Sequence, residues 1–65
     1  MEERIRRTLH EVAGLLENMA EEDLKLVEEI EKISRDPGSL LRKRMRKKLE
    51  AIRDSANRIR KETKR

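Results

Sequence analysis

The chain has no cysteine and no phenylalanine, tryptophan or tyrosine, and only one proline, two glycines and one histidine in 65 residues. Without cysteine there is no disulfide and no thiolate metal site. Without aromatic rings no platform exists on which unpaired bases can stack, which argues against single-strand and base-specific RNA recognition. Any core must come from Leu, Ile, Val, Met and Ala, the larger of which contribute roughly 1.5–3 kcal/mol each when buried. No apolar run approaches the ~18–20 residues of a bilayer-spanning helix. The opening residues Met1, Glu2, Glu3, Arg4, Ile5, Arg6 and Arg7 have neither the apolar core nor the cleavage signal of a secretory peptide. The expectation is a soluble protein, cytoplasmic or recombinant, with no membrane partner.

What the chain does have is charge. Charged residues make up 49% and apolar residues 34%, a composition typical of long helices and bundles. Residues 1–35 carry ten acidic and six basic side chains, whereas residues 40–65 carry three acidic and twelve basic. Six of the seven residues from 42 to 48 are cationic. A chain of this length forms one domain, 1–65, at a size where a single core is marginal. Association with another copy is the natural source of further stability.

Asp36, Pro37, Gly38 and Ser39 form one strong break: proline cannot continue a helix, glycine permits positive φ, and Asp36 or Ser39 can cap the next helix. Before it, Ile5, Leu9, Val12, Leu16, Met19, Leu26, Ile30 and Ile33 keep a 4–3 heptad rhythm, widened by Ala13, Ala20 and Val27. After it, Met45, Leu49, Ile52, Ala56, Ile59 and Thr63 repeat that rhythm, with Leu41 one turn earlier. The pattern predicts an all-α hairpin, with a helix over about 2–35, a turn at 36–39 and a helix over about 40–63.

Asp23 interrupts the first stripe where an apolar residue is due. One reading makes it a buried polar residue that sets register, satisfied by Lys48, Ser55 or a symmetry mate. The other splits the first segment near residues 17–19, where Asn18 and Glu21 fit a capping box, and gives a monomeric three-helix bundle. If the first helix is continuous, the second reaches back only to about Val12, leaving Ile5 and Leu9 uncovered. Pairing two hairpins into a homodimeric four-helix bundle would bury both stripes.

Arg42, Lys43, Arg44, Arg46 and Lys47 oppose the helix dipole at the start of the second helix. They form either a phosphate-binding face for nucleic acid or ion pairs with Glu28, Glu29 and Glu31 across the hairpin. Lys48 lies close to the apolar stripe, where it either meets Asp23 or runs its stem along the seam with the ammonium in water. His10 reads as a surface histidine, since no second ligand or nucleophile accompanies it. The carboxylates Glu17, Glu21, Glu22 and Glu28 lack the Glu-x-x-His pair of di-metal bundles. Glu21 with Lys25 and Glu28 with Lys32 suit i, i+4 ion pairs. No catalytic, metal or cofactor site is expected, and no small-molecule substrate.

The Asp36, Pro37, Gly38, Ser39 connector, the heptad seams in both helices and the lack of aromatics and cysteines resemble a de novo designed helical-hairpin bundle. That resemblance implies self-assembly without natural activity, with Asp23 as a deliberate buried polar residue. A weaker similarity is to small arginine-rich helical proteins of thermophilic archaea, through Ile30, Glu31, Lys32, Ile33, Ser34, Arg35, Asp36 and Pro37; it implies no chemistry. The sequence thus leads to a non-enzymatic self-associating module. Its expected seam is Ile5, Leu9, Val12, Leu16, Met19, Leu26, Ile30, Met45, Leu49, Ile52 and Ile59, and non-specific phosphate binding is the alternative function.

Overall fold

A computed structural model describes residues 2–33 and 39–64 of the chain. They form two antiparallel helices, α1 at Glu3–Ile33 and α2 at Ser39–Thr63. Together these make a rod of 49 × 15 × 13 Å. The all-α hairpin expected from the two heptad stripes is the observed fold. Of the expected connector only Ser39 is placed, as the first residue of α2; Asp36, Pro37 and Gly38 lie outside the described residues. Among the described residues no helix is long and apolar enough to cross a membrane.

α1 passes through residues 17–19 without interruption, so the three-helix alternative does not hold. Leu16, Glu17, Met19, Ala20 and Glu21 are all good helix formers, and no glycine or proline lies between residues 15 and 36 to end the ladder. The capping tendency of Asn18 does not outweigh that run. The real start of α1 is marked instead by Glu2, whose Oε1 accepts the Arg4 backbone N–H at 2.7 Å and whose carbonyl accepts that of Arg6 at 2.9 Å. Glu3 in the first turn, and Lys32, Arg60 and Lys61 in last turns, complement the helix dipoles.

The helices close on their smallest side chains. Ala13, Ala20 and Val27 of α1 and Ala56 and Thr63 of α2 are no more than 3% exposed. Positions 13, 20 and 27, and likewise 56 and 63, are seven residues apart, the same period as the large aliphatic stripe. In α1 they sit one residue after Val12, Met19 and Leu26, about 100° around the helix, and in α2 four residues after Ile52 and Ile59, about 40° around it. Ala13, Ala20 and Val27, expected only to widen the seam, form its centre. Alanine allows two backbones to approach closely, and the side chains flanking it span the joint.

α2 also reaches farther back than the expected limit at Val12. His10 contacts Arg60 and Thr63, and Arg6 donates to the Thr63 carbonyl. The overhang is therefore confined to the first turn of α1, because α2 begins at Ser39, close after the end of α1.

Gly14 stands in the middle of α1, with nothing within 4 Å of where a Cβ would project. Its backbone does not have positive φ, so nothing in the hairpin requires glycine. Gly14→Ala is expected to stabilise the fold by about 0.5–1 kcal/mol, through lower chain entropy in the unfolded state. Urea denaturation checks this, and a loss of stability would show that something packs on Gly14.

Candidate functional site

The seam is tied by polar contacts at both ends and in the middle. At the open end, the Arg6 guanidinium donates to Glu3 Oε1 at 2.7 Å and to the Thr63 carbonyl, placing a cation at the C-terminus of α2. The bond from Arg6 to Glu3 holds the Glu3 carboxyl below its ordinary pKa against an opposing desolvation effect, with the charges of Arg6 and Arg7 adding to it. The same hydrogen bond raises Arg6. His10 is not a surface histidine: it is half-buried, with Nδ1 3.0 Å from the Arg60 carbonyl and 3.0 Å from Thr63 Oγ1. The Thr63 hydroxyl donates its single proton to the Ile59 carbonyl at 2.7 Å, so it accepts from His10. A backbone carbonyl can only accept, and the proton therefore resides on Nδ1.

Midway along, Glu17 accepts from Arg60 Nε at 3.1 Å, from the terminal Arg60 nitrogen at 3.3 Å and from Asn57 at 3.3 Å. Near the turn, Arg46 pairs with Glu31 at 2.5 Å. These contacts position the hairpin. They bring together no catalytic set, and among the described residues no three of the His, Asp and Glu side chains are grouped as a metal would need.

The expected seam residues lie on the neighbouring face. Ile5, Leu9, Val12, Leu16, Met19, Leu26, Ile30, Met45, Ile52 and Ile59 are between 39% and 59% exposed, while Leu49 is half-buried. In α1 they sit one residue before the buried and half-buried row, and in α2 Met45, Ile52 and Ile59 sit one residue before the half-buried Arg46, Arg53 and Arg60. Because the helices are antiparallel, that offset places both rows on the same side of the rod. The result is one continuous aliphatic face with no covering layer.

Two global quantities register this openness. The accessible surface is 5618 Å², against about 4,400 Å² for a compact monomer of this mass. The radius of gyration is 15.0 Å, where a compact domain of this length has about 11 Å. Near the turn the face sinks into a hollow of about 470 Å³, lined by Asp23, Leu26, Val27 and Ile30 from α1 and by Met45, Lys48 and Leu49 from α2. Asp23 and Lys48 thus share an apolar hollow, yet among the described residues neither makes an ion pair or hydrogen bond within the chain. Ser55 is exposed on the same side.

The basic cluster is divided by the fold. Arg42 and Arg46 are half-buried in the seam register, Arg46 on Glu31, whereas Lys43, Arg44 and Lys47 are exposed. Glu28 and Glu29, the other candidate partners for the cluster, are exposed as well.

The structural residues that the pattern does not single out are Arg6, His10, Glu17, Leu24 and Arg60. With Ala13, Ala20, Val27 and Glu31, those on α1 occupy positions 6, 10, 13, 17, 20, 24, 27 and 31, a second unbroken 4–3 row. The signal is present in the spacing, but most of the row is small or charged and carries little hydrophobic weight.

Glu17→Ala leaves Arg60 and Asn57 without their acceptor and is expected to cost about 1–2 kcal/mol, reduced by the partial exposure of Arg60. An unchanged urea midpoint would show that the bridge contributes nothing. No protein-family model, curated protein or solved structure matches this chain, so the uncovered face is the feature from which its role is derived.

Proposed function

We propose that the protein is a non-enzymatic self-associating module: two hairpins pack aliphatic face to aliphatic face as a homodimeric four-helix bundle, and its function is assembly or scaffolding. One observation carries this reading. Ten large aliphatic side chains sit at 39–59% exposure on one side of a thin rod, while among the described residues the buried core is three alanines, a valine and a threonine. A soluble monomer rarely exposes so continuous an apolar surface. The surface in excess of a compact monomer, roughly 1,200 Å², exceeds the roughly 800 Å² per partner of a stable protein interface. The ends of both rows are accounted for as well, since a second copy covers Ile5, Leu9 and Ile59 along with the middle.

Light scattering on the eluting peak, in about 0.3 M salt to screen non-specific charge attraction, is expected to give about twice the 7.8 kDa chain mass. Leu16→Asp and Ile52→Asp each place an unpaired carboxylate in the centre of the interface and are expected to remove the dimer and most of the helicity together. A wild-type monomer with full helicity, or aspartate variants that retain mass and helicity, would overturn the reading.

A second reading is phosphate binding through Lys43, Arg44 and Lys47, which are exposed at the start of α2. It is compatible with the first, and the commitment of Arg46 to Glu31 reduces the number of available cations. It requires duplex DNA affinity that falls steeply with salt and that Arg44→Gln with Lys47→Gln abolishes without changing the mass. Salt-independent or absent binding removes it.

A further inference from the structure

Charges on the aliphatic face decide which helix meets which across the proposed dimer; the inference rests on the self-association proposed above. A two-fold axis that lays one face onto its copy lies in the plane between them. Helices remain aligned if that axis runs along the rod or across it. An axis along the rod keeps every residue at its own level and sets α1 on α2 of the other copy. An axis across the rod reverses the levels and sets α1 on α1 and α2 on α2.

Net charge separates the two. α1 carries nine acidic and five basic side chains, and α2 carries three acidic and ten basic. An axis across the rod therefore stacks like charge on like, whereas an axis along it faces acidic α1 with basic α2.

Asp23 and Lys48 discriminate more sharply, because both would be removed from water. They line opposite walls of the one hollow near the turn, offset along the rod by about six residues, roughly 9 Å, in the register set by Glu31 on Arg46 and Glu17 on Arg60. An axis along the rod keeps each Asp23 at the same end of the bundle as the other copy's Lys48, whose long side chain spans most of that offset. An axis across it carries each charge away from the other copy's opposite charge, and an unpaired buried charge is strongly destabilising. Two residues that look misplaced in a single hairpin become complementary in one of the two arrangements.

We infer that the two copies pair about an axis running along the rod, so that α1 of each packs on α2 of the other and Asp23 of each meets Lys48 of the partner subunit. The pair then selects the arrangement and register, the best-attested role of a buried polar group in a helical assembly.

Mixing charge variants tests this directly. Asp23→Lys sets lysine against lysine at both sites, and Lys48→Asp sets aspartate against aspartate. Each variant alone is expected to dimerise at least about a hundredfold more weakly than wild type, the scale of losing one partner of a buried pair. An equimolar mixture of the two restores opposite charges at both sites and is expected to recover the dimer mass and the helical signal, even if each variant alone is unfolded. The double variant D23K/K48D is expected to dimerise by itself.

An intrachain contact would also rescue the double variant, but not the mixture, because each chain in the mixture keeps its own like-charge pair. Failure of the mixture to recover, or single variants that dimerise as tightly as wild type, overturns the proposed arrangement while leaving self-association intact. A monomeric wild type would instead sink the self-association on which it rests.

Discussion

The close approach of two helices on alanine is the constraint on which the other features depend. Ala13, Ala20 and Ala56, each 2% exposed, put small side chains at the centre of the joint, with Leu24 and Leu49 half-buried in the same rows. Most of the large aliphatic residues lie on the adjacent stripe, one position before the buried and half-buried row of α1 and before the half-buried Arg46, Arg53 and Arg60 of α2. Because that displacement has the same sense on antiparallel chains, it collects the large seam side chains on one face. A hairpin joined through alanine thus leaves its large aliphatic side chains outside its own seam.

Energetics and polarity agree. Burying three alanines, a valine and a threonine returns little against the ordering of more than fifty residues, each costing about 1–2 kcal/mol in backbone entropy. Ion pairs do not close that gap. The contacts of Glu17 with Arg60 and of Glu31 with Arg46 are partly exposed and are worth most as fixers of register. Arg6 and His10, both bonded to the last turn of α2, hold the end opposite the turn. Register within the chain is thereby specified from end to end, while in the proposed dimer much of the stabilisation comes from covering the aliphatic face.

Much of this is legible in the sequence. The 4–3 rhythm of Ile5, Leu9, Val12, Leu16 and Met19 and its counterpart from Met45 to Ile59 mark both helices, and Asp36 and Pro37 mark their division. What periodicity does not assign is which of two parallel rows faces the other helix of the same chain. Hydrophobic weight favours the row of Ile and Leu, whereas intrachain packing selects the row of Ala13, Ala20 and Val27, because proximity within a hairpin rewards small size. His10 is misread from sequence for a related reason: its neighbours along the chain are largely polar, and its partners, Arg60 and Thr63, are some fifty residues away. Asp23 and Lys48 are recognisable as anomalies, but their common hollow depends on the inter-helix register.

The dependence of thermal unfolding on protein concentration tests the half-bundle most directly. If folding of the hairpin is coupled to its pairing, the helical midpoint measured by circular dichroism rises steadily over about a hundredfold increase in concentration, by mass action. A cooperative midpoint that stays constant across that range would mean that the hairpin folds alone on its alanine seam, and would contradict the view that the aliphatic face exists to be covered by a second copy.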